Sequence, residues 1–307
     1  MKTILVTLLL SITFLVGNTS ASSKLKHPIG SYSQALGGIN ILSDAHSTFH
    51  NPALRVQNKR VAISGSLLEN KTKDGMISFS TRIKKKLGFN ATYLYSNISG
   101  IPIYSNDEIL VKYSYDASHF MTFGLNYLVL SSKSKGSFSV GASLNVAKEY
   151  ATIENTTEGP IDGINIGLNY SIKDLELSAS MKNIFGVKKW AYTQSNEEET
   201  QKEIDSYDIP LNTSIAGKYS FLNVVSVLTQ LDIESNAYNK TDFLGRVGLL
   251  FNLGFGDIST GYGDERFSIG FGKKLNLSKT KTLDLHGAIS SRKLDGINTG
   301  LSIALEF

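Results

Sequence analysis

The chain has 307 residues, a formal net charge of +4, no cysteine, 27 glycines, 14 tyrosines and 15 phenylalanines. Without cysteine it can form no disulfide and carries no lipidated amino-terminal cysteine. The positive excess is small and dispersed, and its compact run, Lys84-Lys85-Lys86, is interpreted as a solvated strand end, so nucleic acid is not a predicted partner. Abundant glycine and aromatic residues are typical of strands joined by tight turns. No change in composition divides the mature chain, which predicts one domain.

A secretory signal peptide is predicted at residues 1–21. A short basic start precedes an almost continuously apolar run from Ile4 to Val16, and Thr19-Ser20-Ala21 supplies small residues for cleavage after Ala21. The run is too short to span a membrane as a helix, and no second run reaches that length. The mature chain is therefore either soluble outside the inner membrane or inserted as a β-barrel, the other structure that satisfies backbone polar groups in lipid.

Residues 22–59 have no sustained alternation and are interpreted as an irregular lead-in that sits in or under a barrel. The pair Gly37-Gly38 permits close approach of backbone to backbone. Asn51-Pro52 predicts a turn, because proline fixes its own φ and biases the preceding residue away from helix.

The same stretch contains Asp44, His46 and His50, which are residue types that bind metals. Three polar residues near an Asn-Pro turn more often have no such role. No metal and no other cofactor is predicted, and Asp44 is interpreted as a hydrogen-bonding residue of the lead-in.

The clearest strand pattern is the carboxy-terminal stretch Gly296–Phe307. Its apolar residues fall on one face of an extended strand and its small or polar residues on the other. This pattern is typical of the closing strand of an outer-membrane barrel, with one face toward lipid and one toward the lumen. The edge strand of a soluble sandwich is the alternative. The mean hydropathy of −0.07 does not separate the two, because an alternating barrel averages to a similar value.

An all-β fold, a closed antiparallel transmembrane barrel, is predicted for residues 60–307. Fifteen stretches have a strand pattern: Val61–Leu68, Met76–Ile83, Leu87–Ser96, Glu108–Asp116, Phe120–Ser131, Ser137–Lys148, Asp162–Ile172, Leu175–Asn183, Leu211–Ser220, Leu222–Ile233, Phe243–Leu253, Gly256–Gly263, Arg266–Leu275, Thr282–Ser290 and Gly296–Phe307. Because single-chain bacterial barrels have an even number of strands, about fourteen are predicted, with sixteen as the alternative. The surplus or broken strand is placed within residues 70–120.

Connections between these stretches predict the orientation of the barrel. Lys173-Asp174, the corner at Phe221 and Asn252–Phe255 are short, as periplasmic turns are. Ile184–Pro210 and Glu234–Asp242 are longer and are predicted to be outer loops.

The longest of these loops has unusual chemistry. It carries an acidic run, Glu197-Glu198-Glu199, preceded by Trp190 and Tyr192. The acidic run is either a solvated loop or a site for divalent ions or a basic partner. The two aromatic residues are either interfacial girdle residues or ligand contacts. All five are predicted as candidate partner contacts on the outer side.

The lead-in and several strands together resemble the PorV/PorQ group of the FadL-like outer-membrane family. The resemblance rests on Gln34 to Ile39 with Asp44, Ala45 and Asn51-Pro52-Ala53, on Ile164 to Tyr170, on Asn183 to Gly186, on Gly261-Tyr262-Gly263 and on Ser268 to Gly272. Ile39 stands where the family usually has alanine, and Leu54 where it usually has glycine.

This resemblance implies a fourteen-stranded barrel whose amino-terminal segment plugs or lines the lumen. It also implies that Gly37, Gly38, Asp44, Asn51 and Pro52 are the ligand or hatch residues. FadL-like members admit hydrophobic molecules, whereas PorV and PorQ relatives serve type IX secretion by holding or handing over exported proteins at the outer surface.

Two functional hypotheses follow, and neither is an enzyme. The sequence has no Gly-x-Ser-x-Gly elbow, no His-Glu-x-x-His and no phosphate-binding Gly-Lys-Ser/Thr loop. The first hypothesis is a docking barrel for secreted proteins or secretion components. The alternative is a FadL-like conduit for small hydrophobic molecules. In both, the protein resides in the bacterial outer membrane and contacts its lipid.

Overall fold

The computed structural model describes eleven stretches of the chain: residues 30–42, 47–54, 58–68, 72–104, 110–132, 134–151, 156–158, 163–196, 199–235, 241–292 and 296–307. The predicted signal peptide lies outside the described residues, as do Asp44, His46, Glu197 and Glu198. In the stretches described, no helix is long and apolar enough to cross a membrane.

Strands make up nearly all of the described chain, as the alternation predicts. A short helix, α1 (Ser31–Ala35), and a 3-10 turn (Ser47–Phe49) precede them. The strands are β1 (Arg60–Leu68), β2 (Thr72–Lys84), β3 (Leu87–Tyr104), β4 (Leu110–Ser132), β5 (Gly136–Ala151), β6 (Thr156–Glu158), β7 (Gly163–Ile172), β8 (Leu175–Ile184), β9 (Val187–Asn196), β10 (Glu199–Asp208), β11 (Leu211–Phe221), β12 (Val225–Ser235), β13 (Thr241–Asn252), β14 (Asp257–Gly263), β15 (Arg266–Asn276), β16 (Thr282–Arg292) and β17 (Gly296–Glu306).

Fourteen of these strands form a closed antiparallel barrel. Around the wall they run β1 to β5, then β7, β8 and β11 to β17, each paired with the next. The first and last strands close the circle, in register from Arg60 opposite Glu306 to Leu68 opposite Asn298. The predicted closed barrel of fourteen strands is thereby confirmed. β6, β9 and β10 lie outside this circuit, because β6 pairs with β5 and β9, and β9 with β10.

The surplus strand of the sequence prediction is explained by β4. The stretches 108–116 and 120–131 were predicted as two strands, but Leu110–Ser132 is one continuous strand of 23 residues. Residues 117–119, Ala-Ser-His, contain no turn-forming glycine or proline, and their backbone stays paired with β3 and β5. The surplus strand was therefore correctly placed within residues 70–120. Its cause is an interruption of the alternation in the sequence, and the backbone of β4 is continuous there.

The wall has one apolar face and one polar face, as β15 shows. Phe267, Ile269 and Phe271 are 60%, 51% and 47% exposed, whereas the intervening Ser268 and Gly270 are buried toward the lumen. The same alternation runs through β7 and β17. A water-soluble protein does not expose so extensive an apolar surface. The outer face is therefore built for lipid.

Aromatic residues mark the outer boundary of the apolar band. On β3 and β4 the boundary lies at His119, whose Nδ1 is 2.7 Å from the Tyr93 hydroxyl and whose ring centroid is 5.1 Å from that of Tyr95. On β14 and β15 it lies at Tyr262 and Phe267, which are opposite each other in register. Rings of this kind are typical of a membrane interface, where one end is apolar and the other wet.

The two ends of the barrel differ. Lys59 and Phe307 meet at one end, where the Phe307 N–H donates to the Lys59 carbonyl at 2.9 Å. The same end has the short turns Lys173-Asp174 and 222–224, so it is the periplasmic end by the usual rule for such barrels. The outer end does not have long loops throughout, because Asp264-Glu265 alone joins β14 to β15. Their φ values of 53° and 56° allow this two-residue turn.

The outer rim is tall on one side and low on the other. β4 continues for nine residues beyond His119, from Leu110 to Ser118, which is about 30 Å of strand. By contrast, β14 has seven residues and turns directly beside Tyr262. β6, β9 and β10 continue the tall side, and we call them, with the upper ends of β3 to β5, the outer extension. The predicted outer loop at 184–210 is therefore mostly a two-stranded hairpin.

Lysine placed on the lipid-facing side of the wall is expected to destabilise the barrel, whereas lysine in a turn is not. Ile269→Lys puts a charge in the apolar band, which costs about 2–4 kcal/mol at its centre. Leu222→Lys is the matched control, because Leu222 is 94% exposed in the turn after β11. Electrophoresis of unheated samples and urea titration should show loss of the folded form for Ile269→Lys alone. Equal stability of the two variants would contradict a lipid-facing wall.

Candidate functional site

An amino-terminal segment, residues 30–42 and 47–54, lies against the lumen-facing side of the wall. At its start, the Ser31 hydroxyl is 2.8 Å from that of Ser302 on β17. The Gln34 amide Nε2 donates to the Asn298 carbonyl at 2.9 Å, also on β17. Further contacts of the segment reach β5, β7, β12, β15 and β16.

Gly37 and Gly38 bring this segment close to the wall. Their φ values are 70° and 94°, a region that favours glycine. A Cβ on Gly37 would lie 2.6 Å from the backbone nitrogen of Tyr262, and a Cβ on Gly38 would lie 3.0 Å from Nε of Arg246. The Gly37 N–H donates to the Ser268 hydroxyl at 3.1 Å. The sequence predicted close approach of backbone to backbone at both residues; Gly37 makes it with Tyr262 of β14, whereas Gly38 lies against the Arg246 side chain of β13.

Asn51 and Pro52 form a second point of attachment. Asn51 donates through Nδ2 to the Leu168 carbonyl at 3.2 Å, while its Oδ1 accepts from the Ala53 N–H at 3.0 Å. The Ser139 hydroxyl donates to the Ala53 carbonyl at 2.7 Å. Both Asn51 and Pro52 are buried. The predicted turn is thus held between β5 and β7.

Two glycines of the wall lie directly beneath this turn. A Cβ on Gly141 of β5 would overlap backbone atoms of Pro52 and Ala53, and a Cβ on Gly167 of β7 would overlap the Asn51 side chain. The glycines therefore let the segment lie flush against the barrel wall.

Apolar contacts add to these hydrogen bonds at two places. Leu36, Ile39, Ile41 and Leu42 pack with Ala216 of β11 and Leu228 of β12. On the opposite side, Phe49 packs on a lumen-facing row of four register partners on β2 to β5, namely Met76, Leu94, Phe120 and Ala147. Burial of a side chain of this size contributes about 1.5–3 kcal/mol. The segment is held by the wall on both sides of the lumen.

Charged residues also meet the segment inside the lumen. Asp232 of β12 and Arg246 of β13 form an ion pair and are only 8% and 4% exposed in their side chains. Gln230 connects the pair to the segment, because its Nε2 donates to Asp232 at 2.8 Å and its Oε1 accepts from the Asn40 N–H at 2.9 Å. On β8, the Lys182 Nζ lies 3.1 Å from Nδ1 of His50.

Sequence reasoning did not identify these lumen residues as a site. Gln230, Asp232 and Arg246 are separated by many residues from the segment they contact, and their strands show only that they lie on the polar face. His50 was considered as a metal ligand together with Asp44 and His46, which lie outside the described residues. In the structure His50 faces Lys182 instead.

A cavity of about 370 Å³ opens at the periplasmic end of the lumen. Tyr32 of α1 and residues of β1 and β13 to β17 line it. Its polar lining includes the ion pair of Arg60 with Asp284, 3.3 Å apart, and His286, whose Nε2 lies 3.8 Å from Asp257. The cavity therefore combines charged groups with apolar side chains such as Leu250 and Phe255.

The predicted partner residues of the outer side fall in the outer extension. Trp190 and Tyr192 lie on β9, opposite Asp205 and Glu203 of β10, and Glu199 is the first residue of β10. Glu197 and Glu198 lie outside the described residues. The extension thus places Trp190, Tyr192 and Glu199 in one hairpin above the barrel wall.

These features define the molecule as an outer-membrane β-barrel of FadL-like fold. The toluene transporter TbuX of Ralstonia pickettii is 11% identical, with a TM-score of 0.60, over 92% of this chain and 99% of that chain. The monoaromatic hydrocarbon channel CymD is 13% identical, with a TM-score of 0.59, over 91% and 98% of the two chains. A FadL homologue of Pseudomonas aeruginosa is 10% identical, with a TM-score of 0.55, over 90% and 97%. Identities this low show the fold alone.

The family model described as type IX secretion system membrane protein PorP/SprF matches residues 64–289, which is most of the 307-residue chain. The chain therefore belongs to the PorP/SprF family. This confirms the expected grouping with type IX secretion barrels of FadL-like fold. No curated protein matches the sequence. The family is one of secretion-system membrane proteins and not of enzymes, in agreement with the sequence analysis.

Alanine at Gly261 is expected to displace the amino-terminal segment, whereas alanine at Gly75 is not. A Cβ on Gly261 would overlap backbone atoms of Leu36 and Gly37, and nothing lies within 4 Å of a Cβ on Gly75. Overpacking of this kind costs about 1–3 kcal/mol. Single barrels of Gly261→Ala in planar bilayers should conduct more ions than the native protein, and those of Gly75→Ala should not. Equal conductance of the two variants would show that the segment does not depend on this contact.

Removal of the Asp232 charge is expected to cost far more stability than the same change at Asp284. Asp232→Asn leaves Arg246 buried without its counterion, a loss of about 3–5 kcal/mol. Asp284→Asn breaks a partly exposed pair with Arg60 and should cost less than about 1 kcal/mol. Urea unfolding followed by fluorescence compares the two. Similar costs would contradict a buried ion pair in the lumen.

Proposed function

We propose that this protein is a docking barrel, which holds secreted proteins or components of the type IX secretion system at the outer surface. The observation that carries the proposal is the one-sided outer extension. It stands above the apolar band and is not needed to close the wall, since β8 pairs directly with β11 from Asn212 opposite Lys182 to Tyr219 opposite Leu175. A structure that the barrel does not need for closure is available for contact with a partner.

The state of the lumen supports the same role. Residues 30–42 and 47–54 contact strands around much of the wall through hydrogen bonds and apolar packing. Each hydrogen bond contributes about 0.5–1.5 kcal/mol, so withdrawal of the segment would require many contacts to break together. Docking at the outer surface requires no such movement, whereas passage of a molecule through the lumen does.

In this proposal the predicted parts of the chain have separate tasks. Residues 1–21 direct export as a cleavable signal peptide, and residues 22–59 act as a hatch whose shape depends on Gly37, Gly38, Asn51 and Pro52. Residues 60–307 anchor the protein in the outer membrane in the manner of the PorV/PorQ group. Trp190, Tyr192 and Glu199 contribute to the surface that meets the partner.

A conduit for small hydrophobic molecules is the second candidate. It is favoured by the apolar row in the lumen, on which Phe49 packs. The cavity at the periplasmic end favours docking, because a hydrophobic molecule would have to leave past the carboxylates of Asp257 and Asp284. Lipid that co-purifies with the native barrel and is lost in Phe49→Ala would favour the conduit.

Replacement of residues 187–208 by a short glycine-containing turn is expected to abolish partner capture without unfolding the barrel. β8 and β11 remain paired in this variant, and the circuit of fourteen strands stays closed. Affinity isolation from outer membranes, with mass spectrometry, measures type IX secretion components bound to each form. The control replaces residues 236–240, within the predicted outer loop between β12 and β13, with the same turn. Unchanged recovery of these components by the 187–208 variant would contradict docking through the extension.

A further inference from the structure

The cavity at the periplasmic end of the lumen has the size of a small-molecule site. Its volume is about 370 Å³, and protein sites for small ligands range from about 300 to 1,000 Å³. Lumen-facing residues of six neighbouring strands, β13 to β17 and β1, line it together with Tyr32 of α1. Because it opens at the periplasmic end, a ligand from the periplasm would reach it without displacement of the amino-terminal segment.

Four charged residues at the mouth of this cavity balance one another. Arg60 lies 3.3 Å from Asp284, and the Lys274 Nζ lies 3.9 Å from Glu306. Strand register brings the same residues together in the other combination, since Lys274 is opposite Asp284 and Arg60 is opposite Glu306. Two cations and two carboxylates have no net charge. They therefore leave no positive charge for a further carboxylate in the cavity.

Asp257 is that further carboxylate. Its side chain is 28% exposed, and its ion-pair contact is with His286, at 3.8 Å. Elsewhere in the described part of the chain, no lysine or arginine forms an ion pair with it. A histidine of ordinary pKa is mostly neutral above pH 7, so His286 does not replace the missing cation. The cavity thus has a net charge of −1, and a partly buried carboxylate of this kind favours a cation beside it.

The position of the Asp257 carboxylate is fixed by its surroundings. A Cβ on Gly272, its register partner on β15, would overlap the carboxylate and would lie 2.6 Å from Cδ2 of His286. The imidazole of His286 is in turn held by α1, because its Nδ1 lies 3.2 Å from the Ser31 hydroxyl. The Tyr32 ring packs edge-on against it, with 5.3 Å between the centroids. Asp257 and Tyr32 are therefore held at one wall of the cavity.

The rest of the lining indicates an organic cation rather than a metal ion. Leu250, Phe255 and Ala304 line the cavity beside Tyr32, and aromatic rings attract organic cations near their faces. Calcium takes about six to eight oxygen ligands. Over the described stretches of the chain, no group of three metal-binding side chains occurs. One unpaired carboxylate among apolar side chains is suited to an ammonium group on an apolar body.

We propose that this cavity binds a small organic ammonium ion, whose nitrogen donates to the Asp257 carboxylate and whose apolar body lies against Leu250, Phe255 and Tyr32. A hydrogen bond between two charged groups is stronger than one between neutral groups. A neutral molecule of the same shape leaves Asp257 without a counterion, and an anion is repelled, so the site selects cations. Such binding is a function beyond docking and does not require it.

Three ligands with the same aromatic body test the charge selection: 2-(4-fluorophenyl)ethylammonium, 2-(4-fluorophenyl)ethanol and 4-fluorophenylacetate. Fluorine NMR measures their binding to the full-length protein in lipid nanodiscs, and protein-free nanodiscs correct for partition into lipid. At about pH 7.5 His286 stays neutral. We expect saturable binding of the ammonium ion, binding of the alcohol that is weaker by about tenfold or more, and none of the carboxylate.

Variants of the protein locate the site. Asp257→Asn should weaken binding of the ammonium ion by about tenfold or more, since it removes the charge and keeps the shape. Asp257→Glu keeps the charge and should bind more tightly than Asp257→Asn. Tyr32→Leu should weaken binding about threefold, and Tyr32→Phe, which keeps a ring, should not. The matched control is Asp174→Asn, because Asp174 is an exposed carboxylate in the periplasmic turn between β7 and β8, outside the cavity.

Several results would overturn the inference. Binding of the alcohol or of the carboxylate as tight as that of the ammonium ion, which is measured on the native chain, would exclude charge selection. Native affinity in Asp257→Asn would exclude Asp257 as the counterion. Displacement of the ammonium ion by an equal concentration of magnesium would indicate a metal site instead. Tighter binding of N-acetyl-lysine-methylamide than of the aromatic amine would show that the occupant is a lysine side chain of a periplasmic protein. None of these results affects docking, which the 187–208 replacement tests separately.

Discussion

The whole molecule depends on one constraint: every backbone N–H and C=O group within the bilayer must find its partner in the protein, because lipid offers none. Fourteen antiparallel strands meet this constraint by closing into a circle, with β1 against β17. An open strand edge is tolerable only in water. The outer extension lies outside this circle, and it continues strands that have already passed the aromatic boundary at Tyr93 and His119.

Closure of the wall also shapes the lumen. Lumen-facing positions can be small or polar because they meet the amino-terminal segment, as Gly141, Gly167 and Gly261 do where its backbone lies flush against them. The segment in turn satisfies its own polar groups on wall residues such as Ser139 and Gln230. An occupied lumen and a tall, one-sided rim together favour a protein that acts at its outer surface over one that conducts through its centre.

The sequence predicts the fold well because each barrel strand alternates between residues that face lipid and residues that face the lumen, and this alternation is visible within the strand itself. Alternation in Gly296–Phe307 and at residues 266–272 identifies the lipid face, and the parity of strand number corrects fifteen candidates to fourteen. The hairpin of β9 and β10 was predicted as a loop, because Glu199–Asp208 has the composition of a solvated loop and little apolar alternation. Its strands form by pairing with each other and with β6 rather than by burial of one face.

The site was only partly predictable for a related reason. Gly37, Gly38, Asn51 and Pro52 could be predicted because the backbone preferences of glycine and of an Asn-Pro pair follow from the residues themselves. Their partners did not, since contacts such as Gly37 with Ser268 join residues 231 positions apart and depend on the register of the closed barrel. The pairing of Asp232 with Arg246 was not predicted for the same reason: each was only one of several polar residues on the lumen side of its strand.

A scan of oxygen and nickel-chelate accessibility along β17 tests the two-faced wall most directly. The native chain has no cysteine, so single cysteines at residues 297 to 304 can be spin-labelled one at a time in lipid bilayers. The closed barrel predicts that labels at 297, 299, 301 and 303 meet oxygen dissolved in lipid and not the aqueous chelate. Labels at the intervening positions should be shielded from the lipid. Loss of this two-residue period, or ready access of the chelate to residues 299, 301 and 303, would contradict it.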